Sequence, residues 1–188
     1  MAKLTYPNGK KLHDIQAIKE ALLSIGVTLR HWALPEDENQ LNLLQKSELG
    51  AQEKDSILQA LDHRFENLKL KKGYTTRDLI DIHENMEDLD AFLAQFSDIH
   101  HHSEDEVRYI VAGKGYFGLV DKQNQQVMLE VVAGDFINIP ANVEHWFELG
   151  DSKQIKAVRY FINESGWTPT YTSRSKEIDP VNTVPTRT

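Results

Sequence analysis

The chain has no cysteine, only 6 prolines and 10 glycines among 188 residues, and no long apolar run. Without cysteine there is no disulfide framework, and a reducing compartment is the natural expectation. So few glycines and prolines exclude collagen-like and low-complexity classes. A membrane-spanning helix needs roughly 18–20 consecutive apolar residues, which the sequence nowhere supplies. Met1 to Lys11 is polar and lacks the apolar stretch of a secretory signal. Basic charge is also scarce: 21 Lys+Arg against 29 Asp+Glu give a net charge of -8. With no basic cluster, neither nucleic acid nor an anionic membrane is an expected partner. What remains is a cytoplasmic chain, 40% hydrophobic and long enough to bury a substantial core.

Two halves differ in periodicity. Ile15, Ile18, Leu22 and Ile25 carry helical spacing over Asp14 to Ile25, and Val27 to Trp32 reads as extended. Ile57, Leu58, Leu61, Phe65 and Leu68 predict one helix over Ala51 to Leu70. Leu89, Phe92, Leu93 and Phe96 predict another over Met86 to Phe96. Asp78 to His83 is ambiguous between helix and strand.

Beyond Ile99 the texture becomes β-rich. Runs at Glu106–Val111, Tyr116–Val120, Val127–Val132, Phe136–Ile139, His145–Leu149 and Gln154–Ile162 alternate with turn residues, the first turn expected at Gly113-Lys114-Gly115. Strands this short and this regularly interrupted predict an antiparallel sandwich or barrel. The expected organisation is one domain with a helical and mixed part over 1–97, a β core over 98–167 and an irregular, peripheral tail over 168–188.

Chemistry concentrates in histidines and a carboxylate. Three of the eight histidines, His100, His101 and His102, are consecutive. Glu106 follows at four residues and His145 stands in a later run. On an extended chain His100, His102 and Glu106 share parity while His101 points away. One metal ion binds its ligands at about 2.0–2.2 Å, so the chain must fold back between His102 and Glu106, and Ser103-Glu104-Asp105 suits such a turn. Three neutral imidazoles and one carboxylate favour Fe, Ni, Co, Cu, Mn or Zn over Ca or Mg. The alternative is a His-rich surface turn with no metal. His13, His31, His63 and His83 lack matching spacing and read as structural or surface residues.

Gly113 after Glu106, then Gly134, Pro140 and His145, resemble the two-motif signature of the cupin superfamily, a double-stranded β-helix. Ala94, Asn142 and Leu149 depart from its general pattern without touching the ligand positions. The stretch His100 to Gly115, containing Glu104-Asp105-Glu106-Val107-Arg108-Tyr109, is similar to the acireductone dioxygenase family. So are Pro140-Ala141-Asn142-Val143-Glu144-His145-Trp146-Phe147 and Arg159-Tyr160-Phe161 leading to Glu164-Ser165-Gly166-Trp167. This resemblance implies an all-β cupin core, a jelly-roll-like antiparallel barrel, with added N-terminal α-helices. It also implies one Fe(II) or Ni(II) per chain on His100, His102, Glu106 and His145, and a monomer. The implied reaction, part of methionine salvage, oxidises an acireductone, 1,2-dihydroxy-3-keto-5-methylthiopentene, with O2. Iron implies the 2-keto acid precursor of methionine and formate; nickel implies methylthiopropionate, formate and carbon monoxide. Ile99 has no donor atom, so the family's metal-incorporation role for the preceding residue is not carried over.

Glu106, Arg108 and Ile110 share a strand face, which turns Arg108 inward if Glu106 reaches the metal. Arg108 is then either a structural ion-pair partner or the group that stabilises a substrate dianion. Asp105 is a candidate for the catalytic turn, or a solvated carboxylate. Phe147, Trp167 and Phe96 are candidates for the apolar substrate wall, with ordinary core as the alternative reading. Arg159 is open between a substrate contact and an ion pair. Two other classes use the same ligands: a cupin isomerase and a non-catalytic metal-binding cupin.

Overall fold

The computed structural model describes residues 1–163 and 168–178. Helix α1, Ile15–Leu23, starts where the Asp14 side chain accepts from Ala17 N at 2.8 Å. This is the usual way to satisfy an otherwise orphaned amide at a helix start. The strand expected next is β3, Thr28–His31. The single helix expected over Ala51 to Leu70 is two, α3 at Ala51–Ala60 and α4 at Asp62–Lys72. The break falls at Leu61, whose side chain is buried and whose carbonyl accepts from Arg64 N at 3.0 Å to start the second helix. The sequence reading also passed over α2, Glu38–Gln45, and the short strands β1, Lys3–Thr5, and β2, Lys11–Leu12. Asp78 to His83 resolves as strand: β4 covers Thr76–Ile82. Helix α5, Leu89–Ser97, follows, then β5, His100–His101.

The first turn expected in the β half is absent. One strand, β6, runs for 15 residues through Glu106–Val120. It bends at Gly113, where φ is +72 and a Cβ would sit 2.1 Å from the Gln154 carbonyl oxygen. Only glycine meets both demands. Strands β7 (Gln126–Val132), β8 (Asp135–Ile139), β9 (His145–Leu149), β10 (Ile155–Phe161) and β11 (Thr170–Tyr171) complete the set among the described residues.

Because β6 bends, its halves belong to two sheets. Its first half pairs with β8 and β10, and β10 continues to β4. Its second half pairs with β7 and β9, and the order there is β11-β5-β9-β6-β7-β1-β2. Every pairing is antiparallel, and the result is a cupin double-stranded β-helix flanked by helices, the fold class expected.

Strand parity decides what faces where. Ile110, Phe117, Leu119, Leu129, Ile137 and Ala157 fill the barrel. Val107, Tyr109, Val111, Val158 and Tyr160 face outward and are covered by α2 and α3 through Leu44 and Ile57. The alternating faces of β6 are those its sequence predicts.

The tail departs from expectation over 168–178. It contributes β11 and buries Ile178 against Ile99, Val120, Met128 and Trp146. A peripheral segment would leave that side chain in water; burying it recovers roughly 1.5–3 kcal/mol.

Candidate metal centre

Four side chains meet at one end of the barrel. His100 lies on β5 and is paired directly across the ladder with His145 on β9. His102 follows β5, its carbonyl accepting from Asn142 N at 2.8 Å. The chain then reverses through Ser103-Glu104-Asp105, and Glu106 opens β6. Asp105 fastens this turn: its two carboxylate oxygens accept from Asn138 Nδ2 at 3.1 Å and Ala141 N at 3.0 Å. It therefore ties the turn to the end of β8.

One ligand atom from each of His100, His102, Glu106 and His145 lies within 4.8 Å of the others. Atoms bound to one ion at about 2.1 Å stand roughly 3–4 Å apart, so small side-chain adjustments complete such a shell. The histidine orientations are set by the backbone. His100 Nδ1 lies 2.7 Å from the Asp98 carbonyl and His145 Nδ1 lies 2.8 Å from the Val143 carbonyl. A proton held at Nδ1 leaves the Nε2 lone pair aimed inward, which is how metal-binding imidazoles are oriented.

The donors fit a cation. Glu106 Oε2 is 3.2 Å from His145 Nε2 and 3.0 Å from His102 Nε2. A neutral His145 has one N–H, already used by Val143, so its Nε2 lone pair faces a carboxylate oxygen. His102 is 3% exposed and neither ring nitrogen has a hydrogen bond of acceptable geometry. Converging buried lone pairs repel unless a positive ion lies between them. Burial, then the neighbouring His145, pushes His100 down to about 4, keeping it neutral and able to donate its lone pair at ordinary pH. Burial acts to raise Glu106, but the Arg108 guanidinium, the largest of the opposing influences, helps hold the carboxyl well below its usual range.

Glu106 faces two ways. While Oε2 meets the imidazoles, Oε1 pairs with Arg108 Nη2 at 3.2 Å. Arg108 also donates to the Val107 carbonyl at 3.1 Å. Both residues line a cavity of about 50 Å³ within the barrel, together with Arg159, Phe96, Phe147, Phe117, Ile80, Ile82, Ile110, Ile155 and Ala157. Arg159 holds Asp78 in a bidentate ion pair, the ion-pair reading, and it also lines the cavity. Trp167 lies outside the described residues. His101, in register with Thr170, is apart from the four donors.

Sequence reasoning missed Asp78, Ile80 and Ile82. Their alternate spacing on β4 was the available signal, concealed by the helix-or-strand ambiguity of that segment. Phe117, within the run Tyr116–Val120, carries no signal of its own; the bend of β6 turns it toward the same cavity as Arg108.

A barrel that gathers three imidazoles and a carboxylate beside an arginine-lined cavity is a metal-binding cupin. The description of the ARD/ARD' family matches residues 9–169. An acireductone dioxygenase of Trichodesmium erythraeum is 44% identical over 173 residues, covering 92% of this chain and 96% of that relative. One from Leptospira interrogans is 42% identical over 180 residues, covering 95% of this chain and 100% of the relative. In structure, an acireductone dioxygenase from Bacillus anthracis with a cadmium ion in its active centre aligns with a TM-score of 0.83. That pair is 29% identical, with coverage of 91% of this chain and 98% of the other. The chain belongs to the ARD/ARD' family.

Proposed function

We propose that the chain is an acireductone dioxygenase that cleaves 1,2-dihydroxy-3-keto-5-methylthiopentene with O2. One observation carries this reading: Glu106 turns one oxygen toward two of the three clustered imidazoles, His102 and His145, and the other toward an arginine in the wall of a mostly apolar cavity. Metal donors and an anion-binding group thus share a single carboxylate. When bound by His100, His102, Glu106 and His145, Fe(II) or Ni(II) supplies Lewis acidity to the enediol oxygens.

The protein's side chains account for the remainder. Arg108 and Arg159 present guanidinium groups to the dianion of the enediol, which is the electron-rich form that reacts with O2. Phe147, Phe96 and Phe117 form the apolar wall for the methylthio end and exclude water from it. Asp105 keeps the Glu106 turn against β8, so its contribution is to hold the carboxylate in place. The products assigned are the 2-keto-4-methylthiobutyrate and formate of the iron form, or the methylthiopropionate, formate and carbon monoxide of the nickel form. The expected setting is methionine salvage in the cytoplasm, with the chain a monomer, which fractionation and sedimentation would check.

An oxygen electrode tests the reading. Protein loaded with iron or nickel should consume O2 on addition of a model acireductone, and chelation should abolish the signal. Metal-loaded protein that takes up no oxygen would leave the isomerase or the non-catalytic binding protein in its place.

A further inference from the structure

We infer that residues 170–178 are a strap whose side chains position two of the four metal donors and thereby set how tightly the ion is retained. The inference rests on the metal centre described above. Strand β5 has only two residues, and its single direct partner on β9 is the His100–His145 pair. A ladder this short cannot hold its own place. Strand β11 covers its other edge, with Tyr171 opposite His100 and Thr170 opposite His101. Thr172 N donates to the Ile99 carbonyl at 2.9 Å, and Tyr171 Oη donates to the Gln95 carbonyl at 3.1 Å.

The same segment then crosses to the strand that bears His145. Arg174 Nε donates to Glu144 Oε2 at 2.8 Å, and Lys176 Nζ donates to Glu148 Oε1 at 3.0 Å. Gln126, itself buried, clamps the segment from both sides: Nε2 donates to the Ser175 carbonyl at 2.8 Å and Oε1 accepts from Glu177 N at 2.7 Å. Ile178 ends the run, buried against Ile99 and Trp146. Several of these contacts reach the residues flanking the two donors: Ile99 and His101 beside His100, Glu144 and Trp146 beside His145. Support on both neighbours fixes the angle of each imidazole, and donors held in place need less ordering when the ion binds.

The test uses the full chain carrying Arg174→Ala and Ile178→Ala, loaded with nickel and mixed with excess chelator. Nickel release should be at least about tenfold faster than from the unaltered protein, in line with the usual loss on removing outer support from a metal site. In the metal-free variant, the backbone amides of β5 should exchange with solvent faster. Ile57→Ala provides the comparison, because Ile57 lies in the outward-facing cluster, which includes neither neighbour of His100 or of His145. It should lower thermal stability with release unchanged. If the double variant does not fold, Arg174→Gln alone should still release nickel faster, by about tenfold, the lower end of the usual loss. Release at the unaltered rate, or equal acceleration by Ile57→Ala, overturns the strap. If the unaltered protein takes up no nickel or iron, the metal centre itself fails, and the strap with it.

Discussion

Arg108 and Arg159 stand directly opposite each other on neighbouring strands, each held by its own carboxylate, Glu106 for one and Asp78 for the other. Two cations side by side on one face repel unless each has a counter-charge. On the proposed function, a dianion arriving in the cavity would meet both guanidiniums already oriented, with little reorganisation needed on binding.

Replacing Arg108 with Ala should therefore reduce kcat/KM for the acireductone by about 100-fold or more, as removal of one preorganised donor does elsewhere. Metal affinity should fall less, about tenfold, because Glu106 loses the neighbour that keeps it ionised. Arg108→Lys retains the charge without the planar fork and should recover metal affinity more fully than turnover. Steady-state oxygen uptake and metal competition, measured on the same preparations, check both expectations. Equal loss of the two would reduce Arg108 to a support for Glu106.

The metal-free protein should lose stability in a defined pH window. His100 titrates near 4 in the folded chain, against 6.5 for the ordinary imidazole. Its folded form thus binds fewer protons, and stability is fully present above pH 6.5 and declines as pH falls toward 4. The whole loss is about 3 kcal/mol. Glu106, also depressed, adds a further loss below its usual 4.5. Urea denaturation of metal-free protein from pH 7 to 4 measures this slope, and His100→Gln should flatten its upper part.

Ala157 is the smallest side chain of the cavity wall, between Ile155 and Arg159 on β10. Ala157→Leu places three more carbons in the cavity that the proposed function assigns to the substrate. KM should rise at least about tenfold, since even one methylene in a fitted pocket is worth 10-fold or more. Bound metal should be unchanged, because Ala157 is not a donor. Oxygen kinetics with metal analysis separates this from a loss of the centre.

A second buried ion pair lies on the opposite face of β10. Lys156 is completely buried, 3.4 Å from Asp81, and donates to the Lys46 carbonyl at 2.6 Å. Asp81 also accepts from Leu49 N at 2.8 Å, so the pair ties the α2–α3 connection to the sheet. Asp81→Ala leaves a buried ammonium without its partner and should cost about 3–5 kcal/mol. Thermal unfolding should then occur about 10 °C lower. Asp81→Ala combined with Lys156→Met should regain much of that loss, whereas no recovery would show that the Leu49 amide is the dominant partner.

The alternation of Glu106, Arg108 and Ile110 against Val107, Tyr109 and Val111 was legible in the sequence, because a strand's two faces follow from parity alone. So was the fold-back between His102 and Glu106, since one ion cannot span an extended stretch of that length. The break at Leu61 was not, because both halves keep helical spacing and only the packing of Leu61 decides between a bend and a continuous helix. Nor was the continuity of β6: Gly113-Lys114-Gly115 has turn composition, yet the glycine serves a bend against the Gln154 carbonyl. The strap was hidden because its hydrogen bonds are made to residues 28 to 76 positions away.

By itself the sequence determined the donor types, the parity of the strand that carries Glu106 and Arg108, and a β-rich core behind a helical half. These are local properties, written in residue identity and spacing. The tertiary structure alone decided that His145 lies across the ladder from His100, that Arg159 faces Arg108 with Asp78 as its counter-charge, and that the tail braces both donor strands. Such relationships depend on which strands pair and in what register, and register is settled by the burial of whole faces at once.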